Sequence, residues 1–317
     1  SDLLIANNRG VLNQSIGVTP LKQAAINKGQ LWGVELNLIS LLFSSISPVL
    51  NKFSLTSLSP VIGGIFTSCF AAGFVLIVVL LSHRQVSLTT LKNPWLWLLG
   101  GTNAVGIILQ YIALSLLSPI TVTLIARMYL VYVFVLSYLF LKERIEGWDY
   151  LAIILCILGS FLISGGRIQL SDNGWGIICA FIYPLMYAAN NITAKHLVKD
   201  AQPSNVLFYN HLTSALLLVG YALACGTSFK NISGQAVAFN FAGAFFNGFM
   251  SLLLFYTSLR FISAGKANIV RAFGPVIVII YSAFFFPVQI TPSLISGALL
   301  VIGASTIVTF TKTRERA

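Results

Sequence analysis

One run of residues constrains this chain more than any other. Residues 110–143 read QYIALSLLSPITVTLIARMYLVYVFVLSYLFLKE, apolar almost throughout but with Arg127 in the middle. At about 1.5 Å per residue, the stretch 119–141 is long enough to cross a bilayer core of about 30 Å. Pro119 suits the first turn of such a helix, where its missing N–H costs little. Lys142, Glu143 and Arg144 are expected to end the span in water. An arginine at bilayer depth is penalised by at least about 2.5 kcal/mol, so it faces a cavity, a partner or a ligand instead of lipid. The pattern returns once, over residues 256–287, and Arg271 stands where Arg127 stood.

Composition extends this reading to the whole chain. The sequence is 57% hydrophobic and 9% charged, where a soluble domain carries about 25% charged residues. Ten apolar segments lie between charged or Pro/Gly/Asn-containing breaks: 31–51, 60–81, 95–117, 119–141, 150–164, 175–193, 204–225, 236–259, 265–286 and 292–310. The fold class they imply is an all-α polytopic membrane protein with ten transmembrane helices. The net charge of +11 has no soluble surface on which to form a nucleic-acid stripe, so it is read as loop charge that sets orientation. With the N-terminus inside, only Lys52, Arg167 and Lys230 of the nineteen Lys and Arg residues fall outside, and Arg127 and Arg271 lie within spans. The rest are on the inner side, which places both termini in the cytoplasm of a cell with the protein in its inner or plasma membrane. Cys69, Cys156, Cys179 and Cys225 all lie in apolar stretches without metal-ligand spacing and are read as buried, reduced residues.

The sequence also repeats. Gly33 and Lys52 recur as Gly176 and Lys195, 143 positions on, and Pro60 recurs as Pro203 at the same offset. Arg127 and Gly159 recur as Arg271 and Gly303 at an offset of 144. The chain therefore divides into two five-helix units, 31–166 and 174–312. A polar cytoplasmic tail, 1–30, precedes them and a short basic cytoplasmic tail, 313–317, follows. An odd number of spans per unit forces opposite membrane orientations, an inverted-topology repeat with its site near the midplane.

Two five-helix units, each with a short join between third and fourth helices, resemble the EamA-like domains of the drug/metabolite transporter superfamily. The carrying strings are YIALSLLSPITVTLI and FLKERI, echoed by YTSLRFISAGKANIV. Gly33 with Pro48 and Lys52, and Gly176 with Lys195, look like that domain's first helix. The family often has proline where Leu130 stands, while the second unit keeps Pro275. The resemblance implies movement of a metabolite or amino acid, often outward.

Several polar sets could line a pathway. Asn37, Ser40, Ser44, Ser47 and Asn51 draw one stripe down the first helix, at alternating spacings of three and four. The repeat mate of that helix carries Tyr183, Tyr187 and Asn190, with Asn191 beside them. The third helix carries Asn103 and Gln110, and the eighth carries Asn247 and Ser251. Each set reads either as cavity lining or as the polar glue of helix packing in lipid. Tyr209, Asn210 and His211 are consecutive and cannot share a face, so His211 is read as structural. Pro275 removes the hydrogen bond to the Arg271 carbonyl and predicts a kink there. The guanidinium forks of Arg127 and Arg271 suit carboxylate or phosphate. The bland alternative pairs Arg271 with Glu35 or Asp149. Glu35, within the first span, is the candidate for proton coupling.

These features predict a secondary transporter, not an enzyme. It moves a small carboxylate- or phosphate-bearing metabolite, such as an amino acid or organic acid, by alternating access. The substrate-binding residues expected are Arg127, Arg271, Ser40, Ser44, Asn103, Gln110, Tyr183, Tyr187, Asn190 and Asn247. The alternative is a broad exporter of amphipathic compounds that uses the tyrosines; a non-transporting membrane enzyme or structural subunit is the remoter rival. No catalytic cluster, metal site, cofactor motif or nucleic-acid partner is legible. The partners expected are the small-molecule substrate, the lipid bilayer and a coupling proton, with the chain a monomer or homodimer.

Overall fold

The computed structural model describes residues 20–54, 57–82, 92–116, 125, 128–143, 146–163, 174–271, 273–274, 277, 280 and 291–310. Ten helices are numbered within these residues. They are α1 (Pro20–Ser54), α2 (Pro60–Leu81), α3 (Pro94–Leu116), α4 (Met128–Leu136), α5 (Gly147–Ile163), α6 (Gly174–Leu197), α7 (Pro203–Ala224), α8 (Gly234–Ser258), α9 (Ala264–Arg271) and α10 (Pro292–Phe310). By length and apolar composition, α2, α6, α7 and α8 are long enough to cross a membrane. Arg127 and Pro275 lie outside the described residues, as do the side chains of Ser47 and Asn51.

Proline sets many of the helix starts. Pro20, Pro60, Pro94, Pro203 and Pro292 each open a helix, at the position where a fixed φ helps and a lost N–H is harmless. Ser59 and Ser233 cap α2 and α8 by accepting the Ile62 and Ala236 amides at 3.5 and 3.2 Å. Helix α1 starts eleven residues before the apolar segment expected at 31, because no proline stands between Pro20 and that segment. The segments expected at 60–81 and 292–310 coincide with α2 and α10.

The contacts between helices include α1 on α8, α2 on α7, α3 on α6, α4 on α9 and α5 on α10. Each pair joins the two halves of the chain. Exchanging every helix for the one five places away in the series reproduces the same set: α1 on α8 becomes α6 on α3, and the other three pairs map onto themselves. The packing therefore carries the twofold relation that the sequence offsets announce.

The polarity of this bundle is inverted relative to a soluble one. Leu80, Leu81, Leu139, Phe140, Trp175 and Leu223 are exposed. Asn37, Ser40, Asn190, Asn210, His211, Ser251 and Asn268 are buried. An apolar exterior around a hydrogen-bonded polar interior is what a hydrocarbon solvent selects.

Two expectations are corrected here. Glu143 does not end its helix in water; it is 6% exposed, whereas Lys142 beside it is exposed. Its Oε1 accepts the Ala264 amide at 3.3 Å and so caps α9. Asp149, Lys195 and Lys266 are buried at the same end of the bundle. Lys195 Nζ donates to the carbonyls of Leu259 and Ile262, the latter at 2.8 Å, just beyond the end of α8. Burial pushes the Glu143 carboxyl above its ordinary range, and the Lys195 charge works against that rise. The second correction concerns the cysteines. All four are free, with Cys156 and Cys179 buried but Cys69 and Cys225 exposed. An apolar stretch contains an outward face as well as an inward one, and a thiol on it is not costly there.

Candidate functional site

A cavity of about 640 Å³ opens between the two halves. Four helices of each half line it, α1 to α4 and α6 to α9, while α5 and α10 are left out. Of the residues singled out from sequence, Ser44, Asn103, Gln110, Tyr183, Tyr187, Asn190, Asn247 and Arg271 line this cavity. Ser40 sits behind the wall and touches Arg271. Glu35 lies elsewhere, exposed on a separate shallow groove beside Lys28 and Trp32.

Among the described residues Arg271 is the cation of the cavity wall. It ends α9, half-buried, and Nη1 donates to Ser40 Oγ at 3.0 Å. Nη2 reaches Ser251 Oγ at 3.5 Å, and the guanidinium lies 4.5 Å from the Phe255 ring centroid. Ser40 in turn donates to the Ser251 carbonyl at 2.8 Å. These contacts hold the side chain by neutral hydroxyls and an aromatic face. Among the described residues no carboxylate contacts it, and none lines the cavity. The pairing with Glu35 or Asp149 that sequence allowed is not formed. Asp149 accepts the Glu146 amide at 2.9 Å, and its charged neighbours are Lys266 and Glu146.

Ser251 reaches this position because α8 is not regular. From Ala244 to Ser251 it winds as a π-helix, a wider turn that shifts side-chain register and loosens backbone pairing. Two of its carbonyls consequently accept side chains from other helices. One is that of Ser251, from Ser40; the other is that of Gly248, which pairs with His211 Nε2 at 2.8 Å.

Carboxamides dominate the rest of the wall. Asn190 Nδ2 donates to the Leu99 carbonyl at 2.6 Å and to Asn210 Oδ1 at 3.2 Å. Asn210 Nδ2 donates to the Tyr256 hydroxyl at 2.9 Å, which donates back to Asn190 Oδ1 at 3.4 Å. This closed triangle ties α6, α7 and α8 together. A second cluster joins α4, α6 and α9: Tyr129 donates to Asn268 Oδ1 at 2.5 Å, and Asn191 donates to the Tyr129 hydroxyl. On the facing wall Tyr187 donates to Gln110 Oε1 at 2.8 Å. Its ring crosses α3 at Gly106, where a Cβ would stand 2.7 Å from Tyr187 Cε1.

Sequence reasoning did not nominate Thr67, Ser68, Asn268 or Phe255, all of which line the cavity. Asn268 had a legible signal, since it precedes Arg271 by three and so shares its helix face. Thr67 and Ser68 had none, because nothing in an apolar helix tells which hydroxyl faces inward.

The EamA-like transporter family model matches twice, over residues 31–165 and 174–310. The chain belongs to the EamA-like transporter family. The family is one of transporters, and its model matches once in each half of the chain. Two curated relatives from Bacillus subtilis (strain 168) are similar over part of its length. "Uncharacterized transporter YxxF" is 28% identical over 49% of this chain and 50% of its own. "Uncharacterized transporter YoaV" is 24% identical over 59% of this chain and 65% of its own. The similarity thus spans about half the length of the first relative. One solved crystal structure of a protein superposes with a TM-score of 0.77, covering 88% of this chain and 98% of that one. At 13% identity that likeness speaks for the fold alone.

Proposed function

We propose that this EamA-family transporter moves a small metabolite bearing a carboxylate or phosphate, through the cavity between its repeats. The observation that carries this reading is Arg271: a cation in the cavity wall, held by hydroxyls and a ring, with no carboxylate among its described contacts. A guanidinium left without an acid at this depth is costly. Its fork offers an anion two parallel hydrogen bonds. The carboxamides and tyrosines around it supply neutral donors and acceptors to the rest of the molecule. In this account Ser44, Asn103, Gln110, Tyr183, Tyr187, Asn190 and Asn247 contact substrate. Ser40 positions the guanidinium, and Arg127 is its repeat mate.

The ten apolar segments of the sequence span the cell membrane, with both termini in the cytoplasm. The two units have opposite orientations and rock around the cavity to expose it alternately, without ATP. A second reading, export of amphipathic compounds, draws on the aromatic side of the cavity. There Tyr183 and Tyr187 form an edge-to-face pair with ring centroids 6.0 Å apart, and Phe255 of α8 lines the same cavity.

A binding titration separates the two. With purified protein, lactate and sulfate stand in for carboxylate and phosphate, and a neutral aromatic amine-free amphipath serves as the comparison. Loss of a charge-assisted hydrogen bond costs about 1.5–3 kcal/mol, so Arg271→Gln is expected to weaken anion binding roughly ten- to a hundred-fold. Tight amphipath binding unaffected by Arg271→Gln, with no anion binding to either protein, favours the exporter.

A further inference from the structure

His211 is a buried group in the same cavity wall, and only one of its two ring nitrogens has a hydrogen-bond partner among the described residues. It is 4% exposed on α7 and lines the cavity. Its Nε2 faces the Gly248 carbonyl at 2.8 Å. A carbonyl accepts only, so Nε2 carries the hydrogen, and in the neutral ring Nδ1 is left as an acceptor. Nδ1 is buried and has no hydrogen-bond partner among the described residues. An unpaired buried acceptor costs about 1–3 kcal/mol, which a purely structural histidine avoids by facing a donor.

The surroundings define what a proton on Nδ1 would do. From α2 and α3, which pack on α7, the cavity receives the uncharged Thr67 and Asn103. From α8 come the Gly248 carbonyl and, bonded to Asn210, the Tyr256 phenol. The other titratable groups on the wall are the phenols of Tyr129, Tyr183 and Tyr187. Arg271 is the permanent charge among the described lining residues, and no carboxylate is among them. Protonation of Nδ1 would therefore add a cation to that of Arg271 on a wall whose described residues include no anion. Two such cations repel until an anion lies between them.

We propose that His211 is the coupling site of this transporter: Nδ1 takes up one proton from solution as an anionic substrate binds, and the two cross the membrane together. For a monovalent anion the transported pair carries no net charge. The proposal rests on the anionic-substrate reading above and adds the driving ion to it. By reciprocity, a proton that strengthens anion binding is itself bound more tightly by the anion-loaded protein.

The test uses the full chain in nanodiscs with lactate and sulfate, whose own charge is constant across the range. Wild type should bind both anions roughly 5- to 150-fold more tightly at about pH 5.5 than at about pH 8. His211→Gln, which can still donate to the Gly248 carbonyl but cannot titrate, should bind with the wild-type affinity of high pH throughout. Calorimetry in buffers of different ionisation enthalpy supplies a readout that needs no variant. It should show uptake of about one proton per anion bound as wild type is loaded near neutral pH. Anion binding that is lost in Arg271→Gln but is pH-independent in wild type, with no proton uptake, overturns the coupling role and leaves the anion site standing. A pH slope that persists undiminished in His211→Gln also overturns it. Absence of anion binding in wild type at every pH sinks both readings together.

Discussion

At the scale of single residues, Arg271 organises the cavity. Its setting predicts how substitutions divide between binding and stability. Arg271→Lys keeps the charge but not the planar fork, so it should restore only part of the anion affinity lost in Arg271→Gln. Neither change orphans a carboxylate among the described residues, and Ser40 keeps its bond to the Ser251 carbonyl. Melting temperature in detergent should therefore move little in both variants while affinity moves much. A collapse of the melting temperature in Arg271→Gln would instead make the guanidinium a structural tie between α9, α1 and α8. Arg271 was legible in the sequence because one charge in an apolar run is conspicuous. Ser44, Tyr183 and Tyr187 were legible because polar residues at helical spacing mark a face. The pairing of Ser40 with Arg271 was not, since the two lie 231 positions apart. Glu143 was misjudged because position after a span does not reveal that another helix comes to rest on it.

At the scale of elements, contacts between helices set the predictions. Gly159 of α5 and Gly303 of α10 are repeat mates with different surroundings. A Cβ on Gly159 would stand 2.7 Å from the Gly297 carbonyl oxygen, whereas one on Gly303 meets nothing within 4 Å. Gly159→Ala should destabilise by about 1–3 kcal/mol through overpacking against backbone that cannot step aside. Gly303→Ala should be neutral or stabilising by up to about 1 kcal/mol, from helix propensity. Thermal melts of the two variants side by side would show it; equal effects would mean that α5 and α10 do not approach as closely as described. The capped start of α9 gives a pH prediction. Burial raises the folded-state value of Glu143 above its ordinary 4.5. Its contribution to stability is therefore whole below about pH 4.5 and is lost as pH rises through the folded value. Glu143→Gln removes this titration, so its melting temperature should fall less than that of wild type as pH rises above 4.5. Parallel curves for the two proteins would assign the pH dependence to other groups. The π-helix of α8 left no trace that periodicity could catch. A run such as AFFNGFMS reads equally well as regular helix, and only the folded backbone reveals the wider turn.

At the scale of the molecule, the sequence announces the architecture more clearly than the site. Offsets of 143 and 144 between matched residues anticipate the doubled family match, and the packing of helices reproduces itself when the halves are exchanged. This legibility has a physical cause. Span length and the cost of charge in hydrocarbon are coarse constraints that every span must meet, so they are written many times over. A cavity is written once, by the way specific faces converge, and no single helix contains that information. The proposed orientation has its own check: cysteines introduced at Lys92 or Lys199 should resist a membrane-impermeant reagent applied to intact cells, and one at Lys230 should label. The opposite pattern would reverse the sides given to the two ends of the bundle. The central claim is that an anion crosses between the repeats by way of Arg271, and flux measures it most directly. In proteoliposomes loaded with unlabelled lactate or sulfate, wild type should exchange it for the labelled anion outside with saturable kinetics. Arg271→Gln, at equal incorporation, should lower that exchange at least roughly tenfold at sub-saturating concentration. Equal exchange by both proteins, or none by wild type while a neutral amphipath is carried, would contradict the account.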